Sequence, residues 1–177
     1  MQAGATFLPM TILIIFVAPP AGKLCDRLGS RWLMTAGMTL TGGSLLAFSR
    51  LGIESSFVDL LPGLVAGGLG MAITMTPMTA AAMGAVPVAK AGVGSGVLNT
   101  FRQVGGALGI AVMGAILTAQ QTGALADGKT HPEAFLDGFS TTLRVAAVVA
   151  FVAAGVAALL VRKVRHAEHA ALQEAAA

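Results

Sequence analysis

Tyrosine is absent from this sequence, and cysteine and tryptophan occur once each. A lone thiol, Cys25, cannot close an internal disulfide, and it reads as a small loop residue rather than a redox centre. Histidine is limited to His131, His166 and His169. His166, Glu168 and His169 are close enough in sequence for a loose metal site, but a basic amphipathic tail at a membrane surface accounts for them better, so no metal and no cofactor is expected. Charged residues make up 11% of the chain against roughly 25% in soluble proteins, which argues against a solvated domain. The scarce basic residues flank apolar runs and lack interleaved stacking aromatics, so nucleic acid is not an expected partner despite the net charge of +3. The run Gly92-Val93-Gly94-Ser95-Gly96 is neither a nucleophile elbow nor a dinucleotide loop, because Val93 and Val97 occupy positions that require glycine. No enzyme constellation is found.

What the chain does have is apolar length. Hydrophobic residues reach 55%, the mean hydropathy is +0.81, and five stretches are each about long enough to cross a bilayer. They run over residues 5–21, 32–48, 60–83, 93–119 and 143–161, followed by a basic, alanine-rich tail over 162–177. Continuous apolar runs without period-2 alternation satisfy their backbone in lipid only as helices. The expected fold class is therefore all-α, a polytopic bundle of five membrane-spanning helices in contact with the lipid bilayer. An odd number of spans places the two termini on opposite sides.

Basic residues set the orientation. Lys23, Arg27, Arg31, Lys90, Arg162, Lys163 and Arg165 fall on one side and Arg50 and Lys129 on the other, seven against two. The C-terminus is accordingly expected in the cytoplasm and the N-terminus outside, in a multi-pass protein of the cell membrane. The first ten residues carry no lysine or arginine and no cleavage pattern follows, so a cleavable signal peptide is not expected.

Within the spans, glycine is abundant, with 23 residues in the chain. Gly63 and Gly67, Gly92 and Gly96, and Gly105 and Gly109 stand at the i, i+4 spacing that lets helix backbones approach. Met71, Met75 and Met78, with Thr74 beside them, form a stripe that reads either as gap-filling or as a lining for a substrate path. Asn99, Arg102 and Gln103 share one helical face. Counting from Val93, Arg102 lies about 14 Å into its span. Such an arginine serves a structural role, by snorkelling or by bonding carbonyls, or contacts substrate directly. None of the five spans contains an acidic residue, so no group is present there to carry a proton. The connection over 118–137 is about 20 residues long and predicts a short element of its own, with Pro132-Glu133 as a helix start.

The first connection runs Gly22-Lys23-Leu24-Cys25-Asp26-Arg27-Leu28-Gly29-Ser30-Arg31. Gly22 suits a helix end, Asp26 a cap or ion pair, and Gly29 a tight return. The order of Gly22, Asp26, Arg27, Gly29 and Arg31 resembles the signature loop of the major facilitator superfamily, a conformational latch between helices. Ser30 stands where that family has a basic residue, as in the weaker copy of its C-terminal bundle. The run from Ala91 to Gly109, with Asn99, Arg102 and Gln103, is similar to a helix of the fourteen-helix drug:proton antiporter branch. Gln2-Ala3-Gly4-Ala5-Thr6-Phe7-Leu8-Pro9 is similar to the approach to an earlier helix of the same branch.

The resemblance covers the chain as the last five helices of such a transporter, with Met1 at an internal position. It implies export of drugs or small metabolites by alternating access, proton-coupled through acids in the missing N-terminal helices. The implied partners are a small lipophilic substrate and those missing helices or another transporter part. A reading from another class is a stand-alone small membrane protein that scaffolds or regulates a partner without transport.

Overall fold

The computed structural model describes residues 29–52, 55 and 57–161, together with Pro20 and Leu24. Among these residues the chain is helical and without strands. The helices are α1 (Ser30–Phe48), α2 (Phe57–Gly84), α3 (Ala91–Ala126) and α4 (His131–Leu160), with a short 3-10 turn at Val88–Lys90 leading into α3. Three stretches, Val58–Gly84, Val88–Ala126 and His131–Leu160, are long and apolar enough to cross a membrane. The helix α1 coincides with the predicted 32–48 span but is less apolar, because Thr35, Thr39, Thr41, Ser44 and three glycines interrupt it. The predicted 5–21 span, Pro20 apart, and the tail lie outside the described residues.

Small residues decide how α1 meets α2. Gly37, Thr41, Ser44 and Phe48 on α1 face Thr74, Gly70, Gly67 and Gly63 on the antiparallel α2 in regular register. A methyl group on Gly37 would fall 2.8 Å from the Gly70 carbonyl oxygen, and one on Gly70 would fall 2.7 Å from the Gly37 carbonyl. The backbones are thus as close as glycine permits, and Gly63 likewise receives the Phe48 ring. The hydroxyls in this seam are satisfied within their own helices: Thr41 Oγ1 donates to Gly37 O at 2.9 Å and Thr74 Oγ1 to Gly70 O at 2.7 Å. Back-bonding of this kind lets polar side chains sit at a helix contact without water. Leu33, Met34, Leu64, Ala72 and Pro77 are buried around the seam.

The other side of α1 packs on α4, where Gly42 accommodates the Phe151 ring. The α3–α4 pair is joined near the polar end of the hairpin, with Gly138 against the Leu117 carbonyl and Thr142 Oγ1 donating to Gly138 O at 2.7 Å. Elsewhere α3 stands almost bare, Ala124 being its one buried residue. Gly92, Gly96, Gly105 and Gly109 have open space where a side chain would be. Of the glycine pairs singled out in the sequence, only Gly63 and Gly67 pack against a described neighbour.

The connection predicted over 118–137 is corrected. Both helices continue through it, leaving only residues 127–130 as the link. Apolarity falls at Gln120 and Gln121, but helix propensity does not, and Ala119, Ala124 and Ala126 carry α3 onward. At 36 residues α3 is about 54 Å long, well over the roughly 30 Å hydrocarbon core, so a polar end must project from it. The stop comes from Gly128, whose φ of 83° is in the left-handed region. Gly128 N donates to Leu125 O and Lys129 N to Ala124 O, the paired bonds of a Schellman termination. Two residues later the Glu133 carboxylate accepts from Thr130 N at 3.0 Å and Thr130 Oγ1 at 2.7 Å, and Pro132 sits in the first turn of α4. The helix start expected at Pro132-Glu133 is therefore present.

Candidate functional site between α2 and α3

The helices α2 and α3 touch sparsely, and the charged side chain Arg102 spans the space between them. Its Nη2 donates to Thr79 Oγ1 at 2.9 Å, while Thr79 Oγ1 donates in turn to Met75 O at 3.1 Å. Thr79 lies four residues beyond Met75 and eight beyond Met71, so these side chains share one face of α2. The arginine is therefore held on the methionine face. The Arg102 Nε is buried and has no hydrogen-bond partner among the described residues. Guanidinium carries five N–H donors in a fixed fork, and leaving one buried and unpaired is costly.

Two groups that looked separate in the sequence are thus brought together, the methionine stripe and the Asn99-Arg102-Gln103 face, with Thr79 as the joint. Met71 and Met75 are exposed and Met78 half-buried. Thr74 turns the other way, into the α1–α2 seam. Asn99 and Gln103 are exposed alongside Arg102. Pro77, fully buried two residues before Thr79, removes one hydrogen bond from the α2 ladder at this level.

Next to Arg102 is an open groove of about 520 Å³. Ala82 lines it from the end of α2, Val86 from the link beyond that helix, Val93, Val97 and Phe101 from α3, and Lys90 stands at its outer end. Leu98, also in the lining, precedes Arg102 by one helical turn, and Ala82 follows Thr79 by three residues. The Arg102–Thr79 bond therefore lies about one helical turn beyond the lining, past the inner end of the groove. Gly94 keeps the passage narrow, since a methyl there would lie 3.0 Å from the Val86 side chain.

At the start of α1, Gly29 has a φ of 85°, a conformation that favours glycine and permits the return into the helix. Arg31 follows with its Nε buried and without a hydrogen-bond partner among the described residues, and its guanidinium carbon is 5.7 Å from the centre of the Trp32 ring. Gly22, Asp26 and Arg27 of the same loop lie outside the described residues. Far from both features, Lys129 Nζ pairs with Asp137 Oδ2 at 2.5 Å in the α3–α4 link. The hydrogen bond and charge of Asp137 hold the Lys129 ammonium above its ordinary pKa.

A family model described as the Major Facilitator Superfamily matches residues 1–177. The chain is 37% identical over 118 residues to the Multidrug resistance protein Stp of Mycobacterium tuberculosis, covering 66% of this chain and 21% of that protein. It is 34% identical over 119 residues to the Tetracenomycin C resistance and export protein of Streptomyces glaucescens, covering 67% of this chain and 22% of the relative. Riboflavin transporter RibZ of Clostridioides difficile is 28% identical over 163 residues, covering 92% of this chain and 36% of the relative. The chain thus spans between about a fifth and just over a third of these relatives' lengths. No solved structure matches.

Proposed function

The chain belongs to the major facilitator superfamily, and we propose that it forms part of the C-terminal bundle of an exporter of drugs or small metabolites working by alternating access. The observation that carries this reading is the bond from Arg102 to Thr79, which sets an intramembrane cation on a methionine face beside an open groove. Charges at this depth are expensive and mark pathways or partners, and methionine surfaces adapt to varied apolar ligands. Met71, Met75 and Met78 are the proposed path lining, with Asn99, Arg102 and Gln103 as the polar side. Thr74 contributes by holding α1 against α2.

In this reading the segments over 5–21 and 30–48 cross the bilayer along with the three longer stretches, giving five spans. The loop of Gly22, Asp26, Arg27, Gly29 and Arg31 acts as the conformational latch at the cytoplasmic face. The C-terminus is cytoplasmic, which puts Lys90 and the groove's outer end on the cytoplasmic side and Lys129 outside. Proton coupling falls to acids in other parts of the transporter, because α3 has no acidic residue and the only one in α2 is Asp59 in its first turn. The bare faces of α3 support further helices as partners, since small-residue faces in lipid are made for close packing.

The test is dye accumulation in a bacterial host stripped of its efflux pumps, with the chain expressed together with the further transporter helices that this reading requires. Lower steady-state accumulation of a lipophilic dye, reversed by Arg102→Ala at equal membrane abundance, is the expected result. Unchanged accumulation with the protein present in the membrane favours the scaffold reading instead.

A further inference from the structure

We propose that the groove between α2 and α3 binds an amphipathic organic anion, with its carboxylate or sulfonate against the Arg102 guanidinium and its apolar body along Val86, Val97 and Phe101. This rests on the exporter reading and names its substrate class. Cations flank the groove at both ends: Lys90 is among its lining residues, and Arg102 stands one helical turn beyond the lining residue Leu98. They are twelve residues apart, about 18 Å along α3 at a rise of 1.5 Å per residue. The positive end of the α3 backbone dipole lies at the same outer end. Among the described residues no carboxylate stands beside these charges, for α3 contains no acidic residue and Asp59 is at the opposite end of α2. A lipophilic cation entering here meets like charge at both ends, whereas an anion meets complementary charge.

The hydrogen bonding of Arg102 points the same way. Among the described residues Nη2 is its one bonded nitrogen, and the bond goes to a neutral hydroxyl, while Nε is buried and finds no partner there. A carboxylate or sulfonate accepts from Nε and an Nη together, the bidentate geometry for which guanidinium is shaped. Exchange of the Thr79 hydroxyl for such a group replaces one neutral bond by two charge-assisted ones and satisfies the orphan donor. Between the charged ends the lining is apolar, which suits a hydrocarbon or aromatic body rather than a small inorganic ion.

The experiment uses the full 177-residue chain in phosphatidylcholine nanodiscs, with dansyl-undecanoate and its alkylammonium counterpart as fluorescent probes. The anion is expected to bind about tenfold or more tighter than the cation, the scale of one charged hydrogen bond. Arg102→Ala and Arg102→Gln should each abolish that preference while the helical circular dichroism is kept. The glutamine variant can still bond Thr79, so it separates loss of charge from loss of the helix contact. A wild-type preference near unity, or one that survives both Arg102 variants, overturns the proposal. Displacement of the probe by a few per cent phosphatidylglycerol assigns the guanidinium to lipid headgroups and overturns it too. Binding needs no gradient, so charge indifference leaves the exporter reading standing, and failure of the dye-accumulation test sinks that reading separately.

Discussion

Gly37 and Gly70 meet across the α1–α2 seam so closely that a methyl on either would fall within 2.8 Å of the other's carbonyl oxygen. This contact fixes the register of the antiparallel pair and, with it, the direction in which the rest of α2 faces. Thr74 turns into the seam, and Met71, Met75 and Thr79 are left on other faces of the same helix. The packing of α1 on α2 thereby sets where the methionines and the Arg102 contact are displayed.

Gly70→Ala should destabilise the chain by about 1–3 kcal/mol, the usual cost of forcing a methyl into a closed contact. Gly109→Ala, where a new side chain meets open space, should be neutral in the isolated chain, or slightly stabilising because alanine is the better helix former. Thermal unfolding in detergent followed by circular dichroism checks the contrast. Equal midpoints for the two variants would remove the seam from the account.

Gly128→Ala should cost about 1 kcal/mol or more, because a Cβ is strained at the φ of 83° on which the α3 termination depends. Thr130→Ala should cost about 1 kcal/mol as well, by removing the hydroxyl that bonds Glu133 at the start of α4. The two positions flank one four-residue link, so the double variant is expected to depart from additivity. A cycle of the four proteins in the same unfolding assay measures that departure.

The Lys129–Asp137 pair makes stability depend on alkaline pH. The Lys129 pKa is raised in the folded chain, by the hydrogen bond it donates to Asp137 first and by the charge of Asp137 second. A cation held above its unfolded pKa stabilises the fold fully below that unfolded value, about 10.4, and the contribution disappears as pH rises through the folded value. Melting temperatures should therefore fall more steeply above pH 10 in the unaltered chain than in Lys129→Met. Both side chains are half-exposed, so the difference should shrink in high salt. Parallel pH curves for the two proteins would assign the pair no role.

Much of this architecture was legible in the sequence because apolar runs and helices coincide in lipid. The ends of α2 are within three residues of the apolar stretch over 60–83. The ends of α3 and α4 were not legible in this way, since hydropathy stops at the membrane whereas the backbone runs on to Gly128 and back from Thr130. The register of Gly37, Thr41 and Ser44 against Gly63, Gly67, Gly70 and Thr74 carried a signal, small residues at alternating spacings of four and three. That signal is masked because threonine and serine, which close-pack once their hydroxyls bond back to their own helix, interrupt the glycine spacing. Thr79 had no signal of its own. Only the approach of α3 reveals that it receives Arg102, a contact between residues 23 apart that local spacing does not encode.

Helix order carries a prediction about sidedness that the charge count makes independently. The helices α2, α3 and α4 run in alternating directions if each crosses the bilayer, which puts Lys90 and Lys129 at opposite ends of α3. The five-span topology expected from the sequence puts seven basic residues on the side of Lys90 and two on the side of Lys129, and positive charge is retained in the cytoplasm. Lys129→Cys, in a chain whose Cys25 is replaced by serine, should react with a membrane-impermeant maleimide in intact cells. Lys90→Cys in the same background should react only after permeabilisation. The link over 127–130 is suited to this test, because Lys129 is half-exposed and follows the turn at Gly128. The reverse pattern would invert the proposed orientation and move the groove's outer end outside the cell. Reactivity at both positions in intact cells would mean that α3 does not cross the membrane.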